Sequence, residues 1–169
     1  MLNKKICMLG SMAVGKTSLI RRFVDSLFSD DYLSTVGVKI SKKSLVASGG
    51  RDINLMLWDL EGHDDYGDIN TSYLKGASGL LFVIDGTRGN TLTQVLEIRE
   101  SALKVAGEDT PHLFLINKND IRSDWQVSDA VLGALRDKGY EVLEVSAKTG
   151  ENVEKAFELI AALMLEAGQ

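Results

Sequence analysis

Eight consecutive residues, Gly10-Ser11-Met12-Ala13-Val14-Gly15-Lys16-Thr17, constrain the fold of this chain more than any other stretch. They satisfy the pattern G-x-x-x-x-G-K-[ST] at each fixed position. The apolar run Ile6-Cys7-Met8-Leu9 before them reads as a buried strand. The run Ser18-Leu19-Ile20-Arg21-Arg22-Phe23-Val24 after them reads as an amphipathic helix. A glycine loop between a strand and a helix N-terminus lets backbone N–H groups converge on an anion, and the helix dipole adds to the attraction. Lys16 adds a point charge for β- and γ-phosphates, and Thr17 a hydroxyl suited to Mg²⁺.

The rest of the chain alternates apolar runs with helical patterns. Strands are expected at Lys5 to Leu9, Val36 to Ala47, Asp52 to Trp58, Gly79 to Ile84, His112 to Ile116 and Glu141 to Val145. Helices are expected at Lys16 to Asp25, Ile69 to Lys75, Thr91 to Val105, Ser128 to Lys138 and Val153 to Glu166. Ser48-Gly49-Gly50 reads as a hairpin turn, so the second and third strands should be antiparallel. The other connections are crossovers and imply parallel pairing. Leu80 to Ile84 and Leu113 to Ile116 are apolar throughout, as central parallel strands covered on both faces are. The expected fold is a single α/β domain over residues 1–169, with a six-stranded, mostly parallel sheet, one antiparallel strand and about five flanking helices.

In such a sheet ligands sit outside the carboxyl ends of the strands, and four strand ends carry suitable groups. The first is the glycine loop. The third strand ends in Trp58-Asp59-Leu60-Glu61-Gly62, with a carboxylate able to reach Mg²⁺ through water and a glycine N–H for a terminal phosphate. The fifth runs into Asn117-Lys118-Asn119-Asp120. An Asp there offers two acceptors matching the N1–H and N2–H₂ donors of guanine, a pair adenine lacks. The sixth runs into Ser146-Ala147-Lys148-Thr149-Gly150, where a backbone N–H can read the guanine O6.

In their order and spacing these motifs resemble the small GTPases of the Ras superfamily, a P-loop NTPase G domain, from Lys5 to the last helix. Within it Ser34-Thr35-Val36-Gly37-Val38 and Tyr73-Leu74-Lys75-Gly76-Ala77 resemble the Rab branch, while Ala13 to Thr17 is closer to Rho. The resemblance implies GTP and GDP as ligands, with Mg²⁺. It places Met12, Ala13, Val14, Gly15, Lys16, Thr17 and Ser18 around the phosphates, Phe28 over the guanine ring, and Asn117, Lys118, Asp120, Ser146, Ala147 and Lys148 around the base. Thr17, Thr35 and Asp59 would serve the metal, and Gly62 the γ-phosphate. Lys16, Gly62 and His63 would form the catalytic set. It further implies two switch segments, Ser29 to Val38 and Leu60 to Ser72, presented to effectors, an exchange factor and a GTPase-activating protein.

Three positions depart from the family pattern. His63 stands where the family has the Gln that orients the attacking water, Glu61 replaces a small alanine, and Met12 replaces a glycine or serine. An imidazole has one donor and one acceptor on separate nitrogens, unlike the amide it replaces. A carboxylate at Glu61 is repelled by phosphate unless it turns away or meets a cation. No arginine sits where an intrinsic finger is expected. Slow hydrolysis is the expectation, with a GTP-binding module of negligible hydrolysis as the alternative. A P-loop kinase for a small metabolite would need a lid and a second substrate site, and no insertion is large enough for them.

The net charge of −5 and pI near 5.1 argue against a nucleic-acid partner. Cys7 is the sole cysteine and reads as a small core residue, in keeping with a reducing cytoplasm. No signal peptide or bilayer-spanning run appears. Met1-Leu2 excludes N-myristoylation and Leu165 to Gln169 offers no cysteine to prenylate, so any membrane recruitment is expected through a partner or a segment outside this chain.

Overall fold

The computed structural model describes residues 1–31, 35–47, 49–60, 62 and 70–168. Six strands form one sheet: β1 (Leu2–Leu9), β2 (Val38–Ala47), β3 (Arg51–Leu60), β4 (Gly79–Asp85), β5 (His112–Asn117) and β6 (Val142–Glu144). Four α-helices flank it: α1 (Lys16–Asp25), α2 (Asn90–Ala106), α3 (Asp129–Asp137) and α4 (Val153–Ala167). Short 3₁₀ segments run Thr71–Leu74 and Asn119–Asp124. The first stands where the sequence predicts a helix from Ile69 to Lys75; Ile69 lies outside the described residues.

The strand order is β2-β3-β1-β4-β5-β6. Among the described residues only β2 and β3 pair antiparallel, from Val38↔Leu60 to Ala47↔Arg51, as their two-glycine turn demands. The remaining pairs are parallel. After β1 the chain leaves for one side of the sheet and later returns for the other. The carboxyl end of β1 therefore opens onto the crevice where the strand order reverses.

Residue parity sorts the core into two layers, since alternate side chains of a strand face opposite ways. Ile6 and Met8 of β1, Leu81 and Val83 of β4, and Leu113 and Leu115 of β5 are in cross-strand register and pack beneath α1 and α4. Cys7 and Leu9, Leu80, Phe82 and Ile84, and Phe114 and Ile116 face the other way, under α2 and α3. All these positions are 2% exposed or less, which is why the central strands carry no polar alternation. Phe23 of α1 stacks on Phe157 of α4 at 4.0 Å between centroids, locking the two helices on their face. Burial also pushes the Cys7 thiol up to about 11, so it stays protonated. Among the described residues no helix is long and apolar enough to cross a membrane.

β1 begins three residues earlier than its apolar pattern, because Leu2, Asn3 and Lys4 pair with Ile53, Asn54 and Leu55 of β3. Backbone pairing carries them, and with Leu2 and Asn3 exposed and Lys4 half-buried they leave no hydrophobic signal.

His112 opens β5 between Phe82 and Phe114. Its Nδ1 lies 2.9 Å from the Thr110 carbonyl, and its Nε2 accepts from Arg99 Nε at 3.0 Å. This arrangement requires a neutral ring. Burial holds its pKa below 6.5, and the Arg99 cation adds to the effect against the Thr110 bond. The folded state therefore holds fewer protons than the unfolded chain near that pH. Stability is full above about 6.5 and declines as pH falls toward the depressed folded value. Thermal unfolding followed from about pH 7.5 to about pH 5 should show this decline, and His112→Gln should flatten it.

Candidate nucleotide-binding site

The loop after β1 closes on itself. Gly10 has φ 152° and a Cβ there would lie 2.5 Å from the Val83 carbonyl oxygen, so β4 passes too close for any side chain. Gly15 has φ 106°, and its missing Cβ leaves room for the Asn117 amide nitrogen, which would otherwise be 2.1 Å away. Ala13 also adopts a left-handed conformation, φ 60°. Lys16 is 6% exposed and its Nζ donates to the carbonyls of Gly10 (2.8 Å) and Ser11 (2.9 Å), which aims the ammonium across the loop.

Gly15 caps α1 with no side chain bonding the helix N-terminus, and the first turn carries no acidic residue. The residues of that turn line a cavity of about 400 Å³. An uncapped N-terminus at a cavity wall is an anion site. Met12, Ala13, Gly15, Lys16, Thr17 and Ser18 line the end of it beside the α1 N-terminus, where the sequence expects phosphates. Gly62 closes that end, so near that a Cβ would lie 2.8 Å from Met12 N and from Lys16 Nζ. Phe28, half-buried against the α1/α4 layer, lines the other end with Asn117, Lys118, Asp120, Ala147 and Lys148. Arg21, Ser29, Asp30, Asp31 and Ile121 join the wall; nothing in their sequence pattern separates them from solvated surface.

Two predicted residues stand behind the wall. The Val14 side chain is in the core, and Val14 contributes a carbonyl that accepts from Asn117 Nδ2 at 3.0 Å. Ser146 is fully buried and its Oγ donates to Asp120 Oδ1 at 2.7 Å, while accepting from Thr149 N at 3.1 Å. Asn117 is the hinge pin of the whole arrangement: its Oδ1 also accepts from Ala147 N at 3.1 Å, so one amide joins three strand-end loops. Arg22 reaches from α1 to donate to the Ala147 carbonyl (2.8 Å) and to that of Lys148. The sequence reading passes over Arg22, because a helical Arg-Arg pair looks like any solvated face.

At the phosphate end Thr17 Oγ1 donates to Asp59 Oδ2 at 2.5 Å and lies 2.8 Å from Thr35 Oγ1. Asp59 is 2% exposed, and its Oδ1 has no hydrogen-bond partner among the described residues. Burial raises its pKa, only partly offset by Thr17, Lys16, Thr35 and Lys39. A buried carboxylate oxygen lacking a partner beside two hydroxyls is an all-oxygen set that fits a hard divalent cation such as Mg²⁺. The structure thus brings Thr17, Thr35 and Asp59 together. Glu61 and His63 lie outside the described residues.

The sequence reading also misses Asp85 and Arg88. Asp85 ends β4 and is fully buried, with Lys118 Nζ at 2.6 Å and Arg88 Nε at 3.1 Å from its Oδ2. Arg88 goes on to donate to the Met12 carbonyl at 2.7 Å. Trp125 donates its indole N–H to the Lys118 carbonyl at 2.9 Å and helps hold that residue at φ 72°.

Replacing Asn117 by Ala orphans a carbonyl and an N–H in buried surroundings. Asn117→Ala should lower the unfolding free energy of the ligand-free protein by about 1–3 kcal/mol, measured by urea denaturation.

Comparison with known sequences adds a separate line. The Ras family matches residues 5–166. The Ras-related protein RABD1 of Arabidopsis thaliana is 35% identical over 158 residues, 93% of this chain and 77% of that protein. RABD2b of the same plant is 35% identical over 159 residues, covering 94% and 78%. The GTP-binding protein YPTM2 of Zea mays is 32% identical over 159 residues, with the same coverage. With the family matched across nearly its whole length and relatives at this level, the chain belongs to the Ras family of small GTPases, on its Rab-like side.

Proposed function

We propose that this chain, as one domain over residues 1–169, binds GTP and GDP with Mg²⁺, hydrolyses GTP slowly and offers its switch segments to protein partners. The observation that carries the reading is the Asn117 amide, which ties the phosphate loop at Val14 to the base loop at Ala147. A nucleotide spanning about 400 Å³ of cavity would have its phosphates on the α1 N-terminus and Lys16, and its base beside Asp120, Lys118 and Phe28. Asp120, oriented by Ser146, presents the carboxylate that distinguishes guanine from adenine.

Thr17, Thr35 and Asp59 would hold Mg²⁺, which would supply neutralisation of the β- and γ-phosphate charge. Lys16 holds its ammonium over the loop where that charge would accumulate, and Gly62, packed against Met12 and Lys16, would give its N–H to the γ-phosphate. His63 is assigned the orientation of the attacking water. Thr35 and Gly62 are the points at which the segments Ser29 to Val38 and Leu60 to Ser72 would sense the terminal phosphate. Effectors, an exchange factor and a GTPase-activating protein are the partner classes this cycle needs, acting in the cytoplasm with any membrane recruitment carried by a partner. Glu61 and His63 favour a second reading, a GTP-binding module that turns over nothing useful.

Purified protein incubated with GTP and Mg²⁺, with bound nucleotide extracted and chromatographed, tests both. The expected result is GTP and GDP binding that excess ATP does not displace, with turnover on the order of 10⁻⁴ per second. Turnover near 1 per second removes the slow rate, and none at all selects the second reading. His63→Gln should change the rate, and an unchanged rate removes the water-orienting role.

Asp59 generates a further outcome. Its raised pKa means the folded state holds a proton more readily than the unfolded chain, so the cost of ionising it grows as pH rises from 3.8 through the folded value. At neutral pH Asp59→Asn should therefore raise the melting temperature of the nucleotide-free protein while abolishing the further rise on adding Mg²⁺ with GDP. Calorimetry with and without Mg²⁺ checks both signs.

A further inference from the structure

We infer that Asp85 is a positioning residue that couples the base end of the site to its phosphate end, and so controls how long a guanine nucleotide is retained. The inference rests on the nucleotide-binding reading above. A carboxylate offers about four acceptor positions, and those of Asp85 are met by four donors. Thr87 N (2.9 Å) and Thr87 Oγ1 (2.7 Å) take Oδ1; Lys118 Nζ and Arg88 Nε take Oδ2. Its side chain is 1% exposed. Burial alone would raise its pKa, but Lys118, Thr87 and Arg88 together hold it below the usual carboxylate range. Asp85 is thus a closed junction that acts on the site through two cations.

The two cations lead in opposite directions. Lys118 lines the cavity at the base end, and pinning its ammonium to Asp85 leaves the side-chain stem as the surface offered to a base. The Trp125 indole holds the same residue by its carbonyl, in a left-handed backbone that few side chains adopt. Arg88 reaches the other way and donates to the Met12 carbonyl, the exposed crest of the phosphate loop. A planar guanidinium bonded at both ends is a stiff strap, which a lysine could not reproduce. Arg88 does not itself line the cavity, so it acts on the loop from behind. One buried carboxylate therefore sets the position of both walls, and loosening it frees both at once.

The test is the release rate of GDP from the preloaded 169-residue chain, for Asp85→Asn, Arg88→Gln, Lys118→Met and their pairs. Asp85→Asn keeps the shape and removes the charge, and should speed release by about tenfold, the scale of one charge-assisted bond. Because all three act through one junction, the pairs should speed release by clearly less than the product of the single effects. A merely structural contribution would lower the unfolding midpoint in step with any gain in release. Multiplicative pairs, or Asp85→Asn releasing GDP at the unaltered rate, overturn the inference and leave the nucleotide-binding reading intact. If the unaltered chain binds no GDP, both fall. If Asp85→Asn does not fold, the Arg88→Gln and Lys118→Met pair decides alone: these residues meet at Asp85, and a multiplicative pair overturns the coupling.

Discussion

A single side-chain amide holds the candidate site together. Asn117 sits at the carboxyl end of β5, 3% exposed, and bonds the phosphate loop on one side and the sixth-strand loop on the other. Both partners are backbone groups that burial would leave orphaned, so the amide is needed for folding as much as for any ligand. The close approach it makes is possible because residue 15 lacks a Cβ. Gly15 therefore has two duties: its left-handed backbone opens the α1 N-terminus, and its small size admits Asn117. Much of the remaining geometry, Ser146 on Asp120 and Arg22 on Ala147, extends the frame that this amide establishes.

The polar junctions around the site differ in how their charges are balanced. Asp85 is surrounded by donors and held ionised, whereas Asp59, equally buried, keeps one oxygen without a partner among the described residues and is pushed toward protonation. The first is a finished internal contact, and the second carries a charge that its burial disfavours. The carboxyl end of the sheet thus carries one carboxylate whose acceptor positions are filled and one whose burial is only partly compensated.

Much of this was legible in the sequence because it is local. The glycine loop, the two-glycine hairpin and the apolar runs of β4 and β5 each declare themselves within a few residues, and the structure adds only the parity that sorts their side chains into two layers. The strand-end motifs were legible for the same reason. What escaped has partners far along the chain: Arg88 meets Met12, Lys118 meets Asp85, and Arg22 meets the Ala147 loop. Ile84-Asp85-Gly86 reads as an ordinary polar strand end, and only the register Asp85↔Asn117 sets it next to Lys118. Leu2 to Lys4 escaped too, since backbone pairing without burial leaves no periodicity. Val14 and Ser146 were found by motif, yet they act from behind the wall, one by a carbonyl and the other by a hydroxyl.

The buried thiol of β1 has a practical meaning. Cys7 is the chain's sole cysteine, wholly enclosed, and shifted to about 11 by that enclosure. The native surface therefore presents no thiol to thiolate-directed reagents. A cysteine introduced at Val36, 84% exposed beside Thr35, would be the one reactive thiol on the molecule. Site-selective dyes or spin labels could then follow the mouth of the cavity without first removing a native residue from the core.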